Sequence, residues 1–279
     1  MKVGFHVSIH GSVDNAPDRA LELNCNTFQI FTRNPRQWKT TPINTETAET
    51  FSSKVEKFDL QPVFVHMPYL PNLASPNEEV YKKSVETLTS ELQRCNQLQI
   101  PYLVTHLGSH VGSGMQAGFS KLISGINKAL NETEQGVMLL LENTAGTKNS
   151  MGSTFEDIQH IIENISEEKR VGICFDTSHA FGAGYDLRTK QTVENTIKDI
   201  DEIVGFSKLK LVHLNDSKGD LNSRIDRHEH IGLGKIGDEG FKHILTSKLG
   251  KLPLIMETPQ DERRSDVDNL MKVKELAKQ

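Results

Sequence analysis

Eight short apolar runs, each followed by a stretch of helical periodicity, set the strongest constraint on what this chain can fold into. The runs are KVGFH, TFQIFT, PVFVH, YLVTH, VMLLLE, GICFD, LKLVH and LPLIME. The helical stretches cover residues 16–23, 45–58, 77–98, 116–134, 154–164, 189–204, 238–246 and 262–278. Runs rich in Val, Ile, Leu and Phe, with little polar alternation, suit parallel strands buried on both faces. Eight such strand-then-helix units without a linker predict an α/β chain that forms a (β/α)8 TIM barrel, one domain over residues 1–279, rather than an open sheet.

Seven of the eight runs end in a residue that can bind a metal: His6, His66, His106, Glu142, Asp176, His213 and Glu257. Only the second run ends otherwise, around Gln29 to Thr32. In a parallel barrel all the carboxyl ends share one face, where such folds place their chemistry. A buried ring of carboxylates and imidazoles is costly unless cations pair with it.

Two further pairs add to the ring. In FDTSHAFGAGYD, Asp176 and His179 stand three apart across a strand end and the start of a turn. In SRIDRHEHIGLGKIG, Asp226 and His228 stand two apart, on one side of an extended loop. The candidate ligands are then His66, His106, Glu142, Asp176, His179, His213, Asp226, His228 and Glu257. Nine are too many for one ion and imply two or three. Histidine and carboxylate ligands without cysteine suit zinc or manganese in catalytic sites, and clustered divalent ions are typical of enzymes that cleave phosphate esters.

A net charge of −5 opposes nucleic-acid binding through a basic surface. Bound Zn2+ or Mn2+ would reverse the local field, because each adds two positive charges where the carboxylates sit. No apolar stretch approaches a membrane span, and the start MKVGFHVS reads as a strand, not a signal peptide. Cys25, Cys95 and Cys174 form no CxxC. These features predict a cytoplasmic protein with reduced thiols and no membrane association.

The long polar loops 32–44, 67–77 and 215–237 are expected to shape the substrate site. The glycines of GAGYD and GLGKIG fit no dinucleotide or P-loop fingerprint and are read as loop-formers. His6, His10, His110 and His230 are expected to orient ligands from near the active face, while His160 and His243 fall in helices. Trp38 is read as a packing residue.

The segments HMPYLPNLAS, THLGSHVG, LLENTAG, FDTSHAFGAGYD, VHLNDSKGDLNSRIDRHEHIGLG and METP resemble, in order and spacing, the signatures of endonuclease IV, the apurinic/apyrimidinic endonuclease family. The resemblance runs from HVS at residue 6 to METP, nearly the whole chain. It implies a TIM barrel carrying three Zn2+ ions, with Mn2+ or Fe2+ as substitutes. One ion would be held by His66, His106 and Glu142, a second by Glu142, Asp176, His213 and Glu257, and a third by His179, Asp226 and His228. Glu142 would bridge the first two and hold the attacking water.

The same resemblance makes Arg36, Tyr69 and Leu70 the residues inserted into the minor groove at the lesion. Apolar wedges beside a cation suit that task. Arg227, between two proposed ligands, is expected to meet a phosphate, and Lys218, Arg224 and Lys235 share its loop. One departure is Leu107, where the family pattern has proline after the ligand histidine. It is expected to change loop stiffness more than coordination.

The implied reaction is hydrolysis of duplex DNA 5′ to an abasic site, leaving a 3′-hydroxyl and a 5′-deoxyribose phosphate, with removal of 3′-blocking groups, by a monomer. Two other readings stay open on the residues alone. One is a divalent-metal sugar isomerase or epimerase on the same barrel. The other is a metal-dependent protein that binds lesions without cutting.

Overall fold

The computed structural model describes residues 1–278. Eight parallel strands form its central sheet: β1 (Val3–Phe5), β2 (Phe28–Ile30), β3 (Val63–His66), β4 (Tyr102–His106), β5 (Met138–Glu142), β6 (Val171–Asp176), β7 (Leu209–His213) and β10 (Leu254–Met256). Neighbours follow chain order, and β10 pairs with both β7 and β1. A parallel bridge between His6 and Gln29, with the Val7 N–H donating to the Gln29 carbonyl at 2.8 Å, closes β1 onto β2. The expected TIM barrel is the observed fold.

Helices occupy all eight predicted stretches, with ends within four residues of those expected. Their starts follow from side-chain caps. Asn44 accepts the Thr47 N–H at 2.7 Å to open α2 (Thr45–Lys57), and Asn77 accepts the Val80 N–H at 3.0 Å to open α3 (Glu78–Gln97). A ninth helix, α6 (Thr177–Ala183), stands where the sequence suggested a turn. Asp176 caps it through the His179 N–H at 2.7 Å, and Gly184 ends it in the left-handed conformation. A small hairpin was also unforeseen: β8 (Asp216–Ser217) pairs antiparallel with β9 (His228–Glu229) inside the long seventh loop.

The alternation of strand side chains explains why the barrel positions a site. Phe64, Val104, Leu140, Cys174, Leu211 and Ile255 form one fully buried layer inside the barrel, separate from the larger core between sheet and helices. Side chains repeat every two residues along a strand. The next inward positions are therefore His66, His106, Glu142, Asp176, His213 and Glu257. The apolar plug and the polar mouth are successive layers of the same strands.

Candidate metal centre

Glu142 lies at the middle of the mouth and is fully buried. Its Oε2 faces His66 Nε2 at 3.2 Å and His106 Nε2 at 3.6 Å, while Oε1 faces His213 Nδ1 at 3.1 Å and His179 Nδ1 at 3.4 Å. Asp176 is likewise shared: Oδ2 stands 3.9 Å from His213 Nδ1 and 3.7 Å from His228 Nε2. Three His and carboxylate donor sets result, with ligand atoms in each within 4.8 Å of one another: His66, His106 and Glu142; Glu142, Asp176, His213 and Glu257; and Asp176, His179 and His228; a fourth group within the same distance joins Cys174 to Glu142 and His213. Asp226 joins the third set through His179 Nε2, at 3.0 Å. All nine candidates thus meet in one place.

The imidazoles are held in orientations that leave one nitrogen for a cation. His66 Nδ1 donates to the Met67 carbonyl at 2.7 Å, His179 Nδ1 to that of Asn143 at 3.0 Å, and His228 Nδ1 to that of Glu257 at 3.1 Å. In each case Nε2 is turned toward the carboxylates. His228 Nε2 is buried with no hydrogen-bond partner, as expected of a nitrogen aimed at a metal position.

The electrostatics agree. Burial opposes charge on Glu142, yet His106, His213 and the hydrogen bonds from His179 and His213 hold its carboxyl well below the usual range. Burial likewise opposes charge on His179, but Asp176 and Asp226 raise it well above the ordinary imidazole value. With neutral imidazoles the four carboxylates carry four negative charges, those of Glu142 and Asp176 fully buried. Two divalent cations would balance them, and three would leave the site positive, the sign a phosphodiester needs. The residues therefore fit divalent metals.

Sequence reasoning passed over several residues that hold this arrangement. Gln29 is fully buried; its Nε2 donates to Glu257 Oε1 at 2.8 Å and its Oε1 accepts from His213 Nε2 at 2.9 Å. Asn215 donates to Asp176 Oδ2 at 2.7 Å and accepts the Glu257 N–H, while Asn143 accepts the Asp176 N–H at 2.7 Å. Both asparagines follow a ligand closely in sequence, the one signal that could have marked them. Cys174 lies one layer below, its thiol pushed up to about 12 by burial.

Of the four histidines expected to orient ligands, only His6 does so, with Nδ1 3.5 Å from Glu257 Oε1. His230 instead bonds Asp261 and Asn269, His110 Nδ1 accepts the N–H groups of Gly112 and Gly114, and the His10 carbonyl binds Arg19. Their closeness to strand ends in sequence put them on loops that run outward.

Above the metal centre lies a cavity of about 550 Å³ lined by His66, His106, His228, Glu257 and Tyr69. A larger one of about 700 Å³ sits at the opposite end of the barrel, beside Pro62 and Pro101, and holds no donor cluster among the described residues. Tyr69 is 63% exposed and Leu70 37%. The Tyr69 N–H donates to the Pro35 carbonyl at 3.1 Å, so the loops carrying Arg36 and Tyr69 are fastened together at the mouth. Arg36 is exposed there, and Arg227 lines an adjoining basin with Lys218 and His228. The 215–237 loop is organised by buried Asp216, which accepts N–H groups from Ser217, Gly232, Gly234 and Ile236 at 2.8–3.0 Å.

A closed parallel barrel with clustered His and carboxylate donors at its carboxyl face defines the class, and residues 17–277 match the xylose isomerase-like TIM barrel family. Within it, similarity is specific. A probable endonuclease 4 of Methanoculleus marisnigri is 56% identical over 99% of this chain and 98% of its own length, and one of Nitrosopumilus maritimus is 49% identical over 99% and 100%. The crystal structure of endonuclease IV from Thermus thermophilus superposes with a TM-score of 0.89 at 32% identity, covering 100% of this chain and 99% of that one. A D-tagatose 3-epimerase-like protein shares the fold at 23% identity and a TM-score of 0.74. The chain belongs to the endonuclease IV family.

Proposed function

We propose that this chain is a metal-dependent DNA-repair endonuclease that hydrolyses the phosphodiester 5′ to abasic sites in duplex DNA, leaving 3′-hydroxyl and 5′-deoxyribose phosphate ends. The reading includes removal of 3′-phosphate and related blocking groups. It places a single catalytic domain, residues 1–279, in the cytoplasm as a monomer. Among the described residues no helix is long and apolar enough to cross a membrane.

The observation that carries the reading is the linkage of three donor sets through two shared carboxylates, Glu142 and Asp176. A sugar epimerase on this barrel needs fewer metals. The added group of Asp176, His179 and His228, which Asp226 joins through His179, and the apolar residues exposed beside Arg36, favour a phosphodiester in a long polymer. Zn2+ suits the donors, with Mn2+ or Fe2+ also accepted. When bound, such ions polarise phosphoryl oxygens and make water acidic near neutral pH.

The chain's own residues supply the rest. Glu142, the catalytic residue in this reading, would help to hold the attacking water beside His66 and His213. His66, His106, Asp176, His179, His213, Asp226, His228 and Glu257 fix the metal positions. Tyr69 and Leu70 fill the gap where a base is missing, while Arg36 and Arg227 meet phosphates. Extruding an abasic sugar is easy because no base pair opposes it.

The test is incision of a duplex carrying one abasic site, with metal content measured on the same preparation. Single-site cleavage 5′ to the lesion, with two or three metals per chain, is the expected result. Binding without cleavage would leave a lesion-recognition protein, and one metal with ketose epimerisation would favour the sugar enzyme.

A further inference from the structure

Exposed large apolar side chains gather on the loops beyond the carboxyl ends of the barrel strands: Tyr69, Leu70, Val111, Ile225 and Leu233. Val111 stands apart because it is 61% exposed and also holds φ at 48°. A β-branched residue in the left-handed region is strained, and a side chain this exposed recovers little of the cost by burial.

The loop is built to keep it there. His110 Nδ1 accepts the N–H groups of Gly112 at 3.2 Å and Gly114 at 3.1 Å, and the His110 carbonyl accepts the Ser113 N–H at 2.9 Å. On one side, Asn72 and Ser109 exchange two hydrogen bonds of 2.9 Å, fastening the loop to the one that carries Tyr69 and Leu70. On the other, the His110 N–H donates to the Asn149 carbonyl at 2.9 Å, next to exposed Lys148. An exposed apolar residue on a loop bonded to one that carries an exposed cation is thus repeated: Tyr69 and Leu70 with Arg36, and Val111 with Lys148.

We propose that Val111 and Lys148 form a second DNA contact, Val111 against the apolar faces of sugars and bases and Lys148 on a backbone phosphate. The inference rests on reading the chain as a DNA endonuclease. The loop of Val111 is bonded through Ser109 and Asn72 to the loop of Tyr69 and Leu70, so a duplex engaged by that loop would run beside Val111. His110 acts as the positioning residue for Val111.

The test uses the metal-loaded enzyme and a duplex with one abasic site. Wild-type incision must be present first; its absence would overturn the endonuclease reading itself. Given incision, Val111→Asn, which suits the left-handed region but lacks apolar surface, is expected to raise KM about fivefold with kcat unchanged and melting temperature equal or higher. Val111→Leu should keep the wild-type KM. Lys148→Ala should lower the slope of log affinity against log salt by about one. A wild-type KM for Val111→Asn, equal impairment of the Asn and Leu variants, or an unchanged salt slope for Lys148→Ala would each overturn the proposal.

Discussion

His213 Nε2 donates to Gln29 Oε1 at 2.9 Å, and this bond fixes which nitrogen of His213 faces the carboxylates. The Gln29 amide also donates to Glu257 Oε1, so one buried side chain orients two members of the same donor set. Partners of this kind set ligand orientation and basicity. Gln29→Ala is expected to lower metal affinity or incision rate by roughly 10–100-fold with the fold intact. Metal retention under a competing chelator, read beside circular dichroism, checks it; wild-type retention would show that Gln29 merely fills space.

Glu142 presents one oxygen to His66 and the other to His213, so removing its charge strikes two donor sets at once. Glu142→Gln keeps the shape and leaves the DNA-facing loops untouched. Turnover should fall by about 10²–10³-fold, the size of effect when a preorganised charge is removed from such a site, while affinity for abasic duplex stays close to wild type. Single-turnover incision together with fluorescence anisotropy separates the two quantities. A variant cutting at the normal rate would remove Glu142 from the mechanism.

The fold was legible because each barrel strand is a continuous apolar run, and the metal centre because six of its members sit two residues beyond the inner apolar layer. Gln29 was hidden by the same regularity, being an uncharged residue inside an apolar run. Helix α6 was hidden because its seven residues follow directly on Asp176, include the candidate donor His179 and carry no long periodicity; its start depends on Asp176, already read as a ligand. The hairpin of β8 and β9 depends on Asp216 gathering N–H groups up to 20 residues away, which no local pattern reveals. His230 lay close in sequence to the candidate donors Asp226 and His228, but Asn269 and Asp261 draw it toward the last helix.

Four clustered carboxylates make the protein's stability depend on cations. A ligand that binds only the native state at a thousand times its Kd adds about 4 kcal/mol. For a chain of this size that corresponds to roughly 10 °C in melting temperature. Exhaustive chelation should therefore lower the thermal midpoint by that order, and adding back Zn2+ or Mn2+ should restore it together with incision. Equal midpoints in scanning calorimetry before and after chelation would show that no ion couples to folding at this site.

Leu107, which follows the candidate ligand His106, packs directly against Gly152. Its side chain is fully buried, and a Cβ placed on Gly152 would collide with Leu107 Cδ1. Gly152 also holds φ at 74°, so two constraints require glycine there, one from its own backbone and one from its neighbour. Leu107→Ala should cost about 2–5 kcal/mol through the cavity it leaves. Gly152→Ala should destabilise through both overlap and strain. In the double variant the new methyl enters the space vacated by the leucine, so the overlap is relieved while the strain remains. The combined loss should then be smaller than the sum of the single losses by about 0.5 kcal/mol or more, a coupling of the size found between contacting residues. Urea unfolding of the four proteins measures it; strict additivity would mean that Leu107 and Gly152 do not compete for the same space.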